Sequence, residues 1–337
     1  VRNKILGLYA VLIGCNLAIW GLAVLISRPH PVLLGTALLA YTLGLRHAVD
    51  ADHIAAIDNV TRKLMQTGQR PLSVGLYFSL GHSTVVFLAS VGIAITASAL
   101  EGQFRDIRAI GGLIGTIVSA GFLFAIAFAN IVVLAGIYRC FQQVKRSGRL
   151  VEAELDALPA SRGYLGRILR STVRLIGKSW HMYPLGFLFG LGFDTATEIG
   201  VLAISAAGAA QGLPIWTILI FPALFTAGMT LIDTTDSILM LGAYGWAFVK
   251  PIRKLYYNLT ITFVSVTIAI FVGGIEALGI IGDRLGLDQG VWSLVAGLNA
   301  NLGIFGAIII GIFLMSWLVS ALIYRVRGYD RIEVTGI

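Results

Sequence analysis

Positions 46 to 53 read Arg46-His47-Ala48-Val49-Asp50-Ala51-Asp52-His53, placing two imidazoles, two carboxylates and a guanidinium inside one of the most apolar stretches of the chain. Each charge left in a hydrocarbon layer costs roughly 2.5 to 3.5 kcal/mol on insertion scales, so such side chains persist where they pair, bind an ion or pass a proton. Neutral imidazole suits nickel, copper, zinc and iron, whereas all-oxygen sites suit magnesium and calcium. Histidines set among carboxylates therefore point to a transition metal, with nickel and cobalt among the chemical candidates. At ~100° per residue, His47, Asp50 and His53 share a wedge of about 120° on one helix face, and Asp52 falls outside it. On an unbroken helix the two histidines would stand about 9 Å apart along the axis, too far for two ligands held ~2.1 Å from one ion. Either the helix unwinds here, or an ion meets these ligands in sequence.

Other polar side chains in apolar context extend the pattern. Asp194 and Glu198 are four apart and Asp233 and Asp236 three apart, spacings that put each pair on one helix face. With Asp50 and Asp52 they make six carboxylates, against Arg46 as the one fixed cation in the apolar runs. Protonation or a bound cation must offset that excess. His82, between Gly81 and Ser83, can supply an imidazole from a second segment or serve as a packing histidine bonded to a backbone carbonyl. Arg46 reads as a buried counter-ion to a neighbouring carboxylate, and Asp58 as a helix-end or exit-path residue. Asp194, Glu198, Asp233 and Asp236 read either as part of a cation path or as interhelical polar glue. His30 and His181 lie at predicted interfaces.

The elements that must position these groups follow from composition. With 57% hydrophobic and 12% charged residues and a mean hydropathy of +0.86, the chain falls outside the range of soluble domains and reads as an all-α polytopic membrane protein. Windows of about 20 apolar residues place eight transmembrane helices near 5–27, 32–57, 72–98, 110–138, 181–208, 214–247, 255–280 and 300–324. The first run is long enough to span and reads as retained rather than as a cleaved signal. With both termini in the cytoplasm, 20 of the 25 Lys and Arg residues face that side and four face the other, as the positive-inside rule requires. The net charge of +8 then needs no nucleic-acid partner. Residues 1–138 form an N-terminal membrane half, 139–178 a basic cytoplasmic loop that reads as a solvated linker, and 179–337 a C-terminal half. Cys15 and Cys140 are too far apart in predicted depth to form a disulfide framework or metal cluster.

The halves show a faint internal likeness. Leu43-Gly44-Leu45 and Leu191-Gly192-Phe193 each precede an acidic block, and Phe78-Ser79-Leu80-Gly81 matches Phe225-Thr226-Ala227-Gly228. The glycines are 37 residues apart in one half and 36 in the other. Matched spans run in opposite directions, which suggests an inverted repeat of spans 2–4 and 5–7, an arrangement common in secondary transporters with the site at the repeat interface.

The block 46–53, together with Leu80-Gly81-His82-Ser83-Thr84, Leu191-Gly192-Phe193-Asp194-Thr195-Ala196-Thr197-Glu198, and Gly228-Met229 followed by Asp233-Thr234-Thr235-Asp236, resembles the four ordered signatures of the nickel/cobalt transporter family. These are single-subunit bacterial permeases of eight spans in the inner membrane. The resemblance covers essentially the whole chain and implies high-affinity uptake of nickel, in some members cobalt, with the ion as transported substrate, no cofactor and no ATPase subunit. It further implies that His47, Asp50 and His53 are required for transport, with Asp52 close behind, and that side-chain bulk at Val49 bears on nickel versus cobalt preference. A histidine-box oxygenase would need more than the five histidines present. A carrier for another divalent ion, manganese for instance, would keep the same architecture. No Gly-x-x-x-x-Gly-Lys-[Ser/Thr] segment occurs, so a gradient rather than ATP is the expected energy source.

Overall fold

The computed structural model describes residues 2–96, 176–191, 196–247 and 251–301, with scattered helical positions over 116–142 and 308–326. Among the described residues the chain is all-helical, without strands. The longer helices are α1 (Arg2–Ser27), α2 (Val32–His47), α3 (Ala51–Gln66), α4 (Val74–Thr96), α5 (Met182–Gly190), α6 (Ala196–Ala210), α7 (Ile220–Ala247), α8 (Pro251–Leu285) and α9 (Val291–Ala300), with a short helical turn at Ile215–Ile218 leading into α7. Four of the described helical stretches are long and apolar enough to cross a membrane: Arg2–Ser27, Val74–Ile95, Ile215–Gly245 and Thr262–Leu285. A fifth is the pair α2 and α3 taken as one span bent by 51°. The expected fifth span is divided into α5 and α6, while the expected fourth and eighth spans and the 139–178 loop fall largely outside the described residues.

The bend in the second span is the feature that matters for the site. Its expected limits were 32–57, yet helical chain continues to Gln66, and the helix is interrupted at Ala48, Val49 and Asp50. Asp50 adopts an extended conformation, φ −67° and ψ 147°, and its carbonyl accepts from the Ile54 N–H at 3.2 Å to start α3. No proline or glycine causes this break. At the far end α3 stops at a left-handed Gly68, φ +78°, where the Gln69 N–H donates to the Leu64 carbonyl at 3.0 Å, a glycine-dependent helix terminus.

Two close crossings hold the bundle around that break. Gly44 of α2 presses on the backbone carbonyl of Phe225 in α7, and Gly228 of α7 lies against Tyr41 and Leu45 of α2. Gly186 of α5 presses on the carbonyl of Phe78 in α4, and Gly81 of α4 lies against Tyr183 and Phe187 of α5. A Cβ at Gly44 or Gly186 would collide with backbone, so the absent side chain is what lets the helices approach, as at small-residue contacts between membrane helices generally. Apolar packing surrounds the crossings: Val86, Val201, Phe225 and Met229 form one buried cluster with Ala48, and Ile57, Val60, Phe78 and Phe189 belong to another.

Candidate metal centre

Breaking the helix solves the spacing problem posed by the sequence. His47, the last residue of α2, and His53, in the first turn of α3, have ring centroids only 4.6 Å apart. His82 arrives from α4 with centroids 4.7 Å from His47 and 4.8 Å from His53. The three rings form a nearly equilateral triangle, and one ring nitrogen from each lies within 4.8 Å of the others. All three are buried, at 1%, 0% and 3% exposure.

The outer partners of the rings orient them. Asp50 Oδ2 stands 2.8 Å from His47 Nδ1, and Thr197 Oγ1 of α6 stands 3.0 Å from the same nitrogen. Asp233 Oδ2 of α7 faces His53 Nδ1 at 3.2 Å and accepts a hydrogen bond from Ser79 Oγ at 2.6 Å. An ionised carboxylate can only accept, so in that state Asp50 and Asp233 would hold the proton of each imidazole on Nδ1. Nε2 is then the nitrogen that His47 and His53 would each present as a ligand, the arrangement by which carboxylates commonly position metal-binding histidines. His53 Nε2 has no hydrogen-bond partner among the described residues. His82 Nε2 lies 2.8 Å from His47 Nε2 and also 2.8 Å from Glu198 Oε1 of α6. Three imidazole nitrogens and one carboxylate oxygen thus converge in an enclosed space walled by the rings of Phe78 and Phe225.

The expected site residues divide accordingly. His47, His53 and His82 meet; Asp50, Glu198 and Asp233 touch the ring nitrogens. Asp52 is half-buried and points Oδ1 to no partner among the described residues. Asp236, one turn beyond Asp233, is buried and bonds none of the three histidines. Asp58 lies lower on α3, accepting from Tyr244 and Ser265. Val49 sits half-buried in the turn between α2 and α3. Arg46 is a correction in its burial: expected as a buried counter-ion to a neighbouring carboxylate, it is exposed on α2, because its position is turned about 100° away from His47, while its charge still acts on Asp50. Asp194 lies outside the described residues. His30 is exposed, and His181 is half-buried, its Nδ1 accepting from the Gly177 N–H at 3.1 Å. Sequence reasoning singled out neither Ser79 nor Thr197 as a site residue, since one hydroxyl in an apolar span carries no signal of its own. The offset of Thr197, adjacent to Glu198, was the available clue.

Known proteins give the arrangement a context. The family profile described as High-affinity nickel-transport protein matches residues 33–323. A High-affinity nickel transport protein of Cupriavidus necator is 59% identical over 99% of this chain and 95% of its own length. Nickel transporter NicT of Mycobacterium tuberculosis is 46% identical over 97% of this chain and 89% of its own length. Cobalt transport protein NhlF of Rhodococcus rhodochrous is 39% identical over 85% and 81% respectively. No solved structure matches the chain.

Proposed function

The chain belongs to the high-affinity nickel-transport family, and on that premise we propose that it carries Ni²⁺ inward across the bacterial inner membrane as a secondary transporter, with the ion held between His47, His53 and His82. It is a transporter and not an enzyme, and Ni²⁺ is its substrate. The observation that carries the site is the convergence of three buried imidazoles across a broken helix. Neutral imidazoles suit nickel among the transition metals, and the relatives named for nickel transport support it as the cargo. Co²⁺ is a second cargo, supported by the likeness to a relative named for cobalt transport.

The reading includes eight spans, both termini in the cytoplasm and an inverted repeat of spans 2–4 and 5–7. The twin glycine crossings support the repeat: Tyr41-Thr42-Leu43-Gly44 occupies in one crossing the place of Tyr183-Pro184-Leu185-Gly186 in the other, a match that favours Gly186 over Gly192 as the counterpart of Gly44. The triplet Leu-Gly-Phe occurs at both 185–187 and 191–193. Transport needs no partner subunit in this scheme. A divalent ion moving down a 100 mV inside-negative potential gains about 4.6 kcal/mol, enough for accumulation of more than about a thousandfold, and the buried carboxylates allow proton exchange as an added coupling.

Uptake of ⁶³Ni²⁺ into proteoliposomes under an imposed inside-negative potential tests the reading. Potential-driven uptake that is lost in His47→Ala and Asp50→Asn, and competed by Co²⁺ ahead of Mn²⁺, is the expected result. Uptake unchanged by both substitutions, or no uptake by monodisperse parent protein, would overturn it.

A further inference from the structure

Helix α3 uses opposite faces for two tasks. His53 turns toward the triad, while Asp58, Asn59 and Arg62 lie between about 140° and 240° around the helix from it, on the back. On that back face Asp58 is fully buried and both its oxygens are taken: Tyr244 Oη of α7 donates to Oδ1, and Ser265 Oγ of α8 donates to Oδ2 at 2.8 Å. Arg62, one turn on and 1% exposed, donates from Nη1 to Thr262 Oγ1 of α8 at 2.8 Å and from Nη2 to Asn59 Oδ1 at 3.0 Å. The same Asn59 oxygen accepts from Asn130 Nδ2 at 2.7 Å. A single turn of α3 is thus tied to α7, to α8 and to the 116–142 segment.

Stability alone does not explain charge at this depth, since replacing buried ionic groups with well-packed apolar ones is often neutral or stabilising. Directional polar ties differ from apolar packing in holding one register and, once broken, releasing it cleanly. Release is what the site requires: the three histidines are almost inaccessible, so no ion leaves without a helix moving. The element joined to its neighbour by a non-helical turn, at Ala48 to Asp50, is α3, and hinges of this kind lie at element ends. We propose that Asp58 and Arg62 are positioning residues for transport, latching α3 onto α7 and α8 so that His53 faces the ion, and that opening of this latch lets α3 swing about the 48–50 turn and expose the ion to the cytoplasm. This rests on the inward-transport reading above.

The test uses the full chain with Cys15→Ser, Cys140→Ser and Ala55→Cys. Position 55 is fully buried on the back face of α3, one turn above Asn59. Thiol labelling by a membrane-impermeant maleimide in inside-out vesicles, ⁶³Ni²⁺ binding in detergent and ⁶³Ni²⁺ uptake are compared in this parent, in Tyr244→Phe, in Arg62→Gln and in Arg62→Lys. Tyr244→Phe and Arg62→Gln are expected to raise the labelling rate about tenfold and slow uptake by a similar factor, the shift expected from losing one or two buried hydrogen bonds. Saturating Ni²⁺ stoichiometry stays at the parent value, Ni²⁺ slows labelling, and Arg62→Lys restores part of the protection. Hydrogen exchange of peptides covering 51–66, faster in the same two variants, reads the latch without a cysteine. Unchanged labelling and exchange in monodisperse variants, with parent uptake intact, would overturn the latch alone. Absence of uptake in a parent that binds Ni²⁺ would overturn the transport reading and the latch's part in it.

Discussion

The two helix crossings that frame the centre are built alike, but the side chains they deliver differ. In each, a glycine on one helix presses on the carbonyl of a phenylalanine on the other, and a second glycine three residues beyond that phenylalanine returns the contact. All three imidazoles nevertheless come from α2, α3 and α4, while the second half sends in Thr197, Glu198 and Asp233, which offer only oxygen. Backbone geometry is shared between the two crossings and chemistry is divided: one side supplies the imidazole nitrogens proposed as ligands, and the other, together with Asp50, supplies the oxygens that bond them.

The strongest way to break this comparison is at the glycines. Gly44→Val and Gly186→Val each force a side chain into a backbone carbonyl, and overpacking of that kind costs about 1–3 kcal/mol or more. Both variants are expected to lose monodisperse protein in detergent to a similar degree, read by gel filtration and thermal melting. Loss at one crossing only would show that the two are not equivalent. Next in size, His47→Ala, His53→Ala and His82→Ala should keep the fold and reduce ⁶³Ni²⁺ uptake by about 100-fold or more, beyond the 10- to 100-fold range of outer-partner changes. Asp233→Asn and Glu198→Gln belong in that lower range, measured as Ni²⁺ affinity in detergent. A Glu198→Gln effect as severe as that of His82→Ala would move Glu198 from aiming a ligand to being one, and would sharpen the division between halves into three nitrogens plus one oxygen. Thr197→Val removes a single hydrogen bond to His47, worth about 0.5–1.5 kcal/mol net, so a two- to tenfold loss of affinity is expected from the same binding measurement.

The residues that bear the chemistry were legible because charge stands out against hydrocarbon. His47, Asp50 and His53 announced themselves by type and spacing, and a broken helix was one of the two readings left open by the distance between two histidines on a straight one. The break itself had no local marker, since Ala48 and Val49 are ordinary helix residues and tertiary contacts decide the backbone there. Arg46 was misjudged because a charge in an apolar run was assumed to be buried, whereas its helix position turns it outward. Tyr244, Ser265 and Thr262 were invisible for the opposite reason: hydroxyls are common in membrane helices, and only the fold reveals that three of them face Asp58 and Arg62. Of the glycines that carried the internal likeness, Gly44, Gly81 and Gly228 lie at the two crossings, whereas Gly192 lies outside the described residues.

The 51° bend between α2 and α3 makes the pair a calliper whose jaws are His47 and His53. A ring nitrogen about 8 Å from the pivot moves about 0.7 Å for a 5° change in that angle, on ordinary helix dimensions, whereas a metal site tolerates distance errors of only about 0.2 Å. The gauge of the site is therefore set by three backbone residues that touch no ion. A bulkier side chain at Val49, half-buried in that turn, is therefore expected to change the angle between the jaws with every donor atom left in place.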